Sequence, residues 1–493
     1  MIPREYFDDE ITVGTARGTL RHLRHSRFSI VRLPVGYGKT LIAVLTAVGI
    51  AKQNGGVVQI GVIAPQAKRL DKSFDEALES ASAYFGVTFK RLLINGEETG
   101  TFAGLSRELS GAHLIDTKTS TVNQQRYARR KAIKAKAEEI AKTPTVFILD
   151  ETHMTLRDST GVTSKSFTAL LNMVDNAGGQ VKVVGLTATP FDKSVLDTIG
   201  YLVFNGNYNS REDFYTREVV DYKALKMQGL THEDIELKLV GRDFKIRPNQ
   251  FINLNRVISQ AKQIIYSPKA PKNFHIPANQ ITTLKVPLSE EGLNRLDYLK
   301  QVASDDGFSS KTEERLEFIK AMTTDKAMID LALRIIKSDK IKQPLFFYQF
   351  NAQRDALAEA LDAENMPYLQ VNGSSHSYFT DFDETLPVLV QYGSGATAFE
   401  AKLSNTSVYL GLPDSSINFD QSLGRNARRG QAMDVITNYI LAPQGRTGRN
   451  VPQFTKQYTR IKNKMTQNMI FLANFETEWG TFENPTKTAS KPS

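Results

Sequence analysis

Short apolar runs alternate with amphipathic stretches along the chain, and each run breaks off at a cluster of polar or glycine residues. Phe28 to Val35 gives way to Gly36-Tyr37-Gly38-Lys39-Thr40 and resumes as Leu41 to Lys52, rich in Ala, Val, Leu and Ile and read as a helix. Gly56 to Ala64 is a second buried strand, ending at Pro65-Gln66-Ala67-Lys68-Arg69. Ala112 to Asp116 reads as another strand, feeding the hydroxyl cluster Thr117 to Thr121. Residues 124–142 read as a basic helix, with Ile133, Ala137 and Ile140 on one side and Arg126, Arg129, Arg130, Lys134 and Lys136 elsewhere. Thr145 to Leu149 is wholly apolar and delivers Asp150-Glu151-Thr152-His153, and Val181 to Leu186 delivers Thr187-Ala188-Thr189-Pro190.

The second half repeats the plan after a helical stretch from Ile252 to Tyr266. A helix from Lys326 to Lys337 precedes the strand Gln343 to Tyr348, which ends in Gln349-Phe350-Asn351. A helix from Ala352 to Leu361 and two further strands follow, Pro367 to Val371 ending at Asn372 and Leu386 to Tyr392 ending at Gly393-Ser394. Strands alternating with helices predict an α/β fold with parallel sheets covered on both faces. In such sheets ligands meet the carboxyl ends of the strands, where the polar clusters fall.

Composition narrows the possibilities. At 493 residues the chain exceeds one ordinary core and suits two or three domains. No run of about 18 apolar residues occurs, and the acidic start Met1 to Glu10 lacks a signal core, so a soluble, cytoplasmic protein without membrane partners is expected. The absence of Cys removes disulfides, thiol nucleophiles and cysteine-ligated zinc, and the seven His residues show no metal-binding spacing. A formal charge of +9 permits a polyanionic partner without demanding one.

Two clusters carry chemistry. Gly36 and Gly38 let the backbone turn so that N–H groups and a helix N-terminus face phosphate oxygens, with Lys39 as a point charge and Thr40 as a hydroxyl for Mg²⁺. Leu33 stands where the complete phosphate-loop pattern has its first glycine, which leaves a plain strand-to-helix turn as the alternative on local grounds. Adjacent carboxylates directly after a buried strand are poorly explained by packing, because burying charge is costly. Beside a phosphate loop, Asp150 suits Mg²⁺ and Glu151 suits deprotonation of an attacking water. The basic helix is compatible with a solvated face or with nucleic-acid contact.

Gly-x-Gly-Lys-Thr, Asp-Glu-x-His and Leu-Thr-Ala-Thr-Pro, in this order, resemble the first motor domain of superfamily 2 helicases and translocases of DEAD/DEAH-box type. Phe191 to Phe204 with Phe214, and Ile276 to Ser289, are similar to the corresponding parts of Swi/Snf-like ATPases, although the latter stretch also reads as an ordinary linker and strand. Gln421, Arg425 and Arg428, at i, i+4 and i+7 of an expected helix, resemble the arginine-finger motif, and the trailing Arg429-Gly430-Gln431 is similar to the Swi/Snf-like form of it.

The resemblance implies two tandem RecA-like domains: an ATP-binding domain over 1–205, a helical insertion and linker over 206–285, a second domain over 286–445, and a C-terminal helix with a disordered tail over 446–493. It implies ATP and Mg²⁺ as cofactors, held by Gly36, Tyr37, Gly38, Lys39, Thr40 and Asp150, with Arg4 and Tyr6 beside the base. Gln421, Arg425 and Arg428 would act on a nucleotide lying between the domains. Nucleic-acid contacts fall to Gln66, Lys68, Arg69, Thr117, Thr119, Gln349, Asn351, Asn372 and Ser394, with Thr187 and Thr189 coupling the two sites. Phe7 replaces the adenine-reading glutamine, Gly393 to Ala398 lacks the usual Gly-Leu-Asn or Gly-Ile-Asp ending, and Thr152 replaces Ala. The expected function is an ATP-driven translocase or remodeller on double-stranded DNA in a bacterial or viral setting, with room for a protein partner; a strand-separating helicase or an ATP switch are the alternatives.

Overall fold

The structure is a computed structural model and describes residues 2, 5–26, 28–33, 37–65, 72–153, 165–191, 195–268, 276–373, 375, 377–392, 401–428 and 431–477. The chain divides into two compact units, one comprising residues 1–34, 38–274 and 467–493, the other residues 35–37 and 275–466.

In the first unit the strands are β1 (Phe28–Arg32), β2 (Val57–Ile63), β3 (Thr88–Arg91), β4 (Thr99–Gly100), β5 (Thr145–Leu149), β6 (Val181–Thr187) and β7 (Ile265–Pro268). In the second they are β8 (Ala278–Pro287), β9 (Leu345–Tyr348), β10 (Leu369–Val371), β11 (Val388–Gln391), β12 (Thr406–Tyr409) and β13 (Val435–Gln444), and β14 (Glu476–Thr477) returns to the first sheet. The spatial orders are β14-β7-β1-β6-β5-β2-β3, with β4 on β2, and β10-β11-β9-β12-β13-β8. Every strand pairing within these sheets is parallel. The expected class, two parallel-sheet α/β domains of RecA-like type, is the one found.

The sequence explains the central strands directly. Every residue of β5 is buried, as a parallel strand covered on both faces requires, and each fully buried large side chain there contributes about 1.5–3 kcal/mol. In β9, Phe346 and Tyr348 enter one apolar cluster while Leu345 and Phe347 enter the other, so alternate residues supply the two faces of the sheet. The helices Lys39–Gln53, Ser73–Phe85 and Val122–Ile140 lie between strands in the chain, the last burying Ala128, Ala132, Ile133, Ala137 and Ile140.

Several expectations change. Ala112 to Asp116 is not a strand: Ala112–Leu114 is a short 3-10 turn with all three residues exposed. Gly111 before it has φ +75°, and a Cβ there would lie 2.4 Å from the Ala128 carbonyl carbon. The chain turns against the basic helix instead of joining the sheet. The helix expected to reach Tyr266 stops at Lys262, and Ile265-Tyr266 form β7 beside Ile30 and Val31 of β1. β-branched and aromatic side chains gain more by completing this buried edge than by extending a helix.

Residues 206–268 belong to the first unit's core. Phe214, Tyr215, Tyr222 and Phe251 share one cluster with Phe28 and Phe147. Residues 278–285, expected in the linker, form β8 together with Val286 and Pro287 of the expected second domain and pair with β13 over ten residues. The C-terminal helix Pro452–Leu472 buries Phe454 and Ile461 in the second unit, whereas Phe471 and Leu472 join the first unit's cluster. The expected tail from 478 lies outside the described residues.

Candidate active site

Strands β1, β6 and β5 are neighbours, with Arg32 opposite Thr187 and Leu149 opposite Gly185. The polypeptide therefore leaves three adjacent strands at one edge of the sheet, carrying the Lys39 loop, Thr187 to Pro190 and Asp150 to His153 respectively. This topology brings the Lys39 loop together with clusters more than a hundred positions away in sequence.

Gly38 has φ +75° and caps the helix Lys39–Gln53 without a side-chain hydrogen bond. A Cβ at Gly38 would have no atom within 4 Å, so the mouth of the loop is open. An uncapped N-terminus with a lysine at its first position fits a phosphate group. Lys39 Nζ donates to the Leu33 carbonyl at 3.4 Å, and Leu33 N–H donates to Thr187 O at 3.2 Å. Thr40 is the helix's second residue, half-buried, as is Tyr37. Gly36 and Arg4 lie outside the described residues. Tyr6 is 39 % exposed, but Phe7 beside it is buried and stacks on Tyr84 at a centroid separation of 5.4 Å. Phe7, where the resemblance leads one to expect a glutamine, thus anchors the short helix Glu5–Asp8 to the helix Ser73–Phe85.

Asp150 and Glu151 are each 6 % exposed. Asp150 N–H continues the sheet by donating to Ile63 O at 2.9 Å, which fixes the carboxylates at the strand end. Two carboxylates buried side by side suit a divalent cation, because cation charge offsets their desolvation. Glu151 has φ +49°, a left-handed conformation uncommon for a residue with a Cβ, and its Oε2 lies 3.3 Å from His153 Nδ1. His153 Nδ1 is also 3.0 Å from Thr187 Oγ1, which accepts the Thr189 N–H at 3.1 Å. His153 Nδ1 thus sits between Glu151 Oε2 and Thr187 Oγ1, so the two strand ends share one imidazole nitrogen. His153 was visible in sequence as the last member of the Asp-Glu-x-His cluster, but its bridging position depends on β5 and β6 being adjacent. Thr152 is fully buried and donates from Oγ1 to Leu149 O at 2.9 Å.

In the second unit the expected arginine helix is Ser416–Leu423 and ends before the arginines. Gly424 follows, so Arg425 and Arg428 lie in the turns beyond, not on a shared helical face. Arg425 is buried and donates from Nε to Gln421 O at 3.1 Å, and Arg428 Nε donates to Gly424 O at 2.8 Å. Gln421 is fully buried within the helix. Arg425 O accepts the Ala401 N–H, while Asn426 Nδ2 donates to Ser404 and Ser407 Oγ at 3.2 and 3.1 Å. Sequence reasoning gave Asn426 no role; it is the side chain that pins the arginine turn to the start of β12.

The expected nucleic-acid contacts divide. Gln66, Lys68, Arg69 and Ser394 lie outside the described residues. Thr117 and Thr119 are exposed, but no strand delivers them; they sit in a turn around Asp116, whose carboxylate accepts Lys118 N–H at 2.9 Å and Thr119 Oγ1 at 3.1 Å. An anion at the centre of that turn opposes phosphate binding. Gln349 and Asn372 stand at the carboxyl ends of β9 and β10, with β11 between those strands, and Asn351 opens the helix after β9. Asn372 is buried and accepts Ser375 N–H at 2.7 Å, so its carbonyl is used within the turn.

The fold defines RecA-like parallel-sheet domains. Residues 17–198 match the DEAD/DEAH box helicase family, a stretch that contains β1 through β6, Lys39, Asp150, Glu151 and Thr187. This match to a helicase domain in the first unit supports nucleic-acid-dependent ATPase activity of helicase type. No curated protein matches the chain. Among the described residues, no helix is long and apolar enough to cross a membrane.

Proposed function

We propose that the chain is an ATP-driven translocase or remodeller of Swi/Snf-like type acting on double-stranded DNA. The observation that supports the reading is that His153 Nδ1 contacts both Glu151 and Thr187 on strand ends next to the Lys39 loop, so a change at the carboxylate is felt at the next strand end. Lys39, Thr40 and Asp150 would hold the triphosphate and Mg²⁺, whose charge offsets that developing on the transferred group. Glu151 orients and deprotonates the water. Arg425 and Arg428 supply positive charge in the transition state, a contribution of about 10³–10⁵ in rate for arginines of this kind. A change at Glu151 on hydrolysis alters the hydrogen bonding of His153 and hence the Thr187 turn. Gln349 and Asn351 contact the nucleic-acid backbone without reading sequence, while the buried Asn372, donating to Gln370 and accepting from Ser375, holds the turn after β10.

Steady-state hydrolysis measured alone and then with duplex DNA, single-stranded DNA and RNA at matched salt tests the reading. Stimulation by duplex DNA is expected. Stimulation confined to single strands or RNA would replace the translocase with a strand-separating helicase, and background hydrolysis under all conditions would refute a motor.

A further inference from the structure

The second unit carries a cleft of about 310 Å³ between the helices Lys311–Thr323 and Pro452–Leu472. Lys311, Glu314 and Arg315 line one side and Lys456 and Arg460 the other, with Asp414 between them. Both carboxylates are already engaged: Glu314 pairs with Lys311 at 2.9 Å and Asp414 with Arg315 at 2.8 Å. Lys456 and Arg460, one turn apart and exposed, have no carboxylate within ion-pair distance among the described residues. The helix that bears them holds Lys456, Arg460, Lys462 and Lys464 and not one Asp or Glu. The cleft therefore carries an uncompensated positive charge of two.

Asp414 connects this cleft to the strand-end cluster. Its Oδ1 takes Arg315, and its Oδ2 accepts Gln349 Nε2 at 2.9 Å. Gln349 follows β9 directly. One carboxylate thus holds both the candidate backbone-contacting amide and a cation of the cleft. Gln457 is anchored differently, donating to Leu412 O at 2.8 Å, which fixes the helix face that presents Lys456 and Arg460.

We infer that this cleft is a phosphodiester-binding site that extends the nucleic-acid path from Gln349, with Lys456 and Arg460 each neutralising one backbone phosphate. The inference rests on the nucleic-acid reading above and adds to it two residues on a helix outside the motor motifs. Arg315, held by Asp414, orients the junction, whereas Lys456 and Arg460 meet the ligand. The contact is electrostatic and independent of sequence.

The test is binding of fluorescein-labelled duplex DNA, single-stranded DNA and RNA to the full chain between 50 and 200 mM salt. The variants are Lys456→Ala/Arg460→Ala, the charge-keeping Lys456→Arg/Arg460→Lys, and Lys462→Ala as an exposed charge on the same helix. Two lost phosphate contacts lower the slope of log affinity against log salt by about 1.8, so the wild type should lose about twelvefold more affinity over this range than the alanine pair. The charge-keeping pair retains the wild-type slope, and Lys462→Ala changes it by less than half as much as the alanine pair. An alanine pair that binds with the wild-type slope overturns the cleft while leaving the nucleic-acid reading intact. An equal slope change in Lys462→Ala also overturns it, since the effect would then be general charge. A wild-type chain that binds none of the three polymers overturns both. Whichever polymer shows the slope difference identifies the source of the phosphodiester.

Discussion

Replacing Gly185 with alanine should disturb the carboxylate turn from the opposite strand. A Cβ at Gly185 would lie 2.6 Å from Thr152 Oγ1, 3.0 Å from Thr152 Cγ2 and 3.1 Å from Phe28 Cε2. Thr152 cannot retreat without cost, being fully buried and bonded to Leu149 O at 2.9 Å between Glu151 and His153. Overpacking costs about 1–3 kcal/mol, and losing the hydroxyl bond adds about 0.5–1.5 kcal/mol. Gly185→Ala alone should therefore destabilise by about 2–4 kcal/mol and depress ATP hydrolysis by displacing Glu151 and His153. Thr152→Ala alone should cost about 1–2 kcal/mol through the lost bond and methyl. The double variant places the new methyl where the threonine atoms were, leaving the Phe28 contact to relax by a few tenths of an ångström. Its cost should approach that of Thr152→Ala alone, a coupling of about −2 to −4 kcal/mol. Urea midpoints at constant m, with ATPase rates measured in parallel, supply the cycle. Additivity within about 0.5 kcal/mol, or a double variant no more active than Gly185→Ala, would refute the argument. On this reasoning the side chain of Thr152 is accommodated by the glycine on β6.

Glu151→Gln should lower kcat by about 10²–10⁴ while nucleotide affinity stays within a few-fold, measured by phosphate release and nucleotide titration; hydrolysis within tenfold of wild type would contradict its role as the base. Asn426→Ala removes the donor shared by Ser404 and Ser407, should cost about 1–3 kcal/mol, and should lower kcat with little change in KM for ATP because it loosens the turn bearing Arg425 and Arg428; a raised KM at unchanged kcat would argue against this. Burial pushes the Tyr266 hydroxyl up to about 12, partly opposed by Arg21, from an ordinary value near 10. The unfolded chain then loses this proton first, so stability is intact below pH 10 and falls as pH rises from about 10 to 12, by up to about 3 kcal/mol. Tyr266→Phe should flatten that part of the stability profile in urea melts, and an unchanged alkaline slope would exclude the effect.

Apolar runs ending in small or charged residues sufficed to locate the Lys39 loop, the Asp150–Glu151 pair and the Thr187 turn, because a parallel strand buried on both faces must be nearly all apolar and its end must be abrupt. The alternation of such runs with helices also determined the α/β class. Other elements depended on neighbours. β12, which begins Thr406-Ser407, is set by its parallel pairing with β9 and β13, neighbours that its own sequence does not name. β7 is a strand because the edge of β1 is available to it, a condition absent from local periodicity. The finger helix ends at Leu423 although the spacing of Gln421, Arg425 and Arg428 fits a helix, since spacing does not report where a chain stops.

Residue type and order along the chain determined which groups can bind phosphate, hold a divalent cation or deprotonate water, because those capacities are local properties of side chains. Tertiary structure alone decided that β5, β6 and β1 are adjacent, and thereby that Glu151, His153 and Thr187 meet. It likewise decided that Arg315, Lys456 and Arg460, far apart in sequence, line one cleft. Strand order is set by how separate elements bury one another, and a linear pattern carries the period of each element but not the identity of its neighbour.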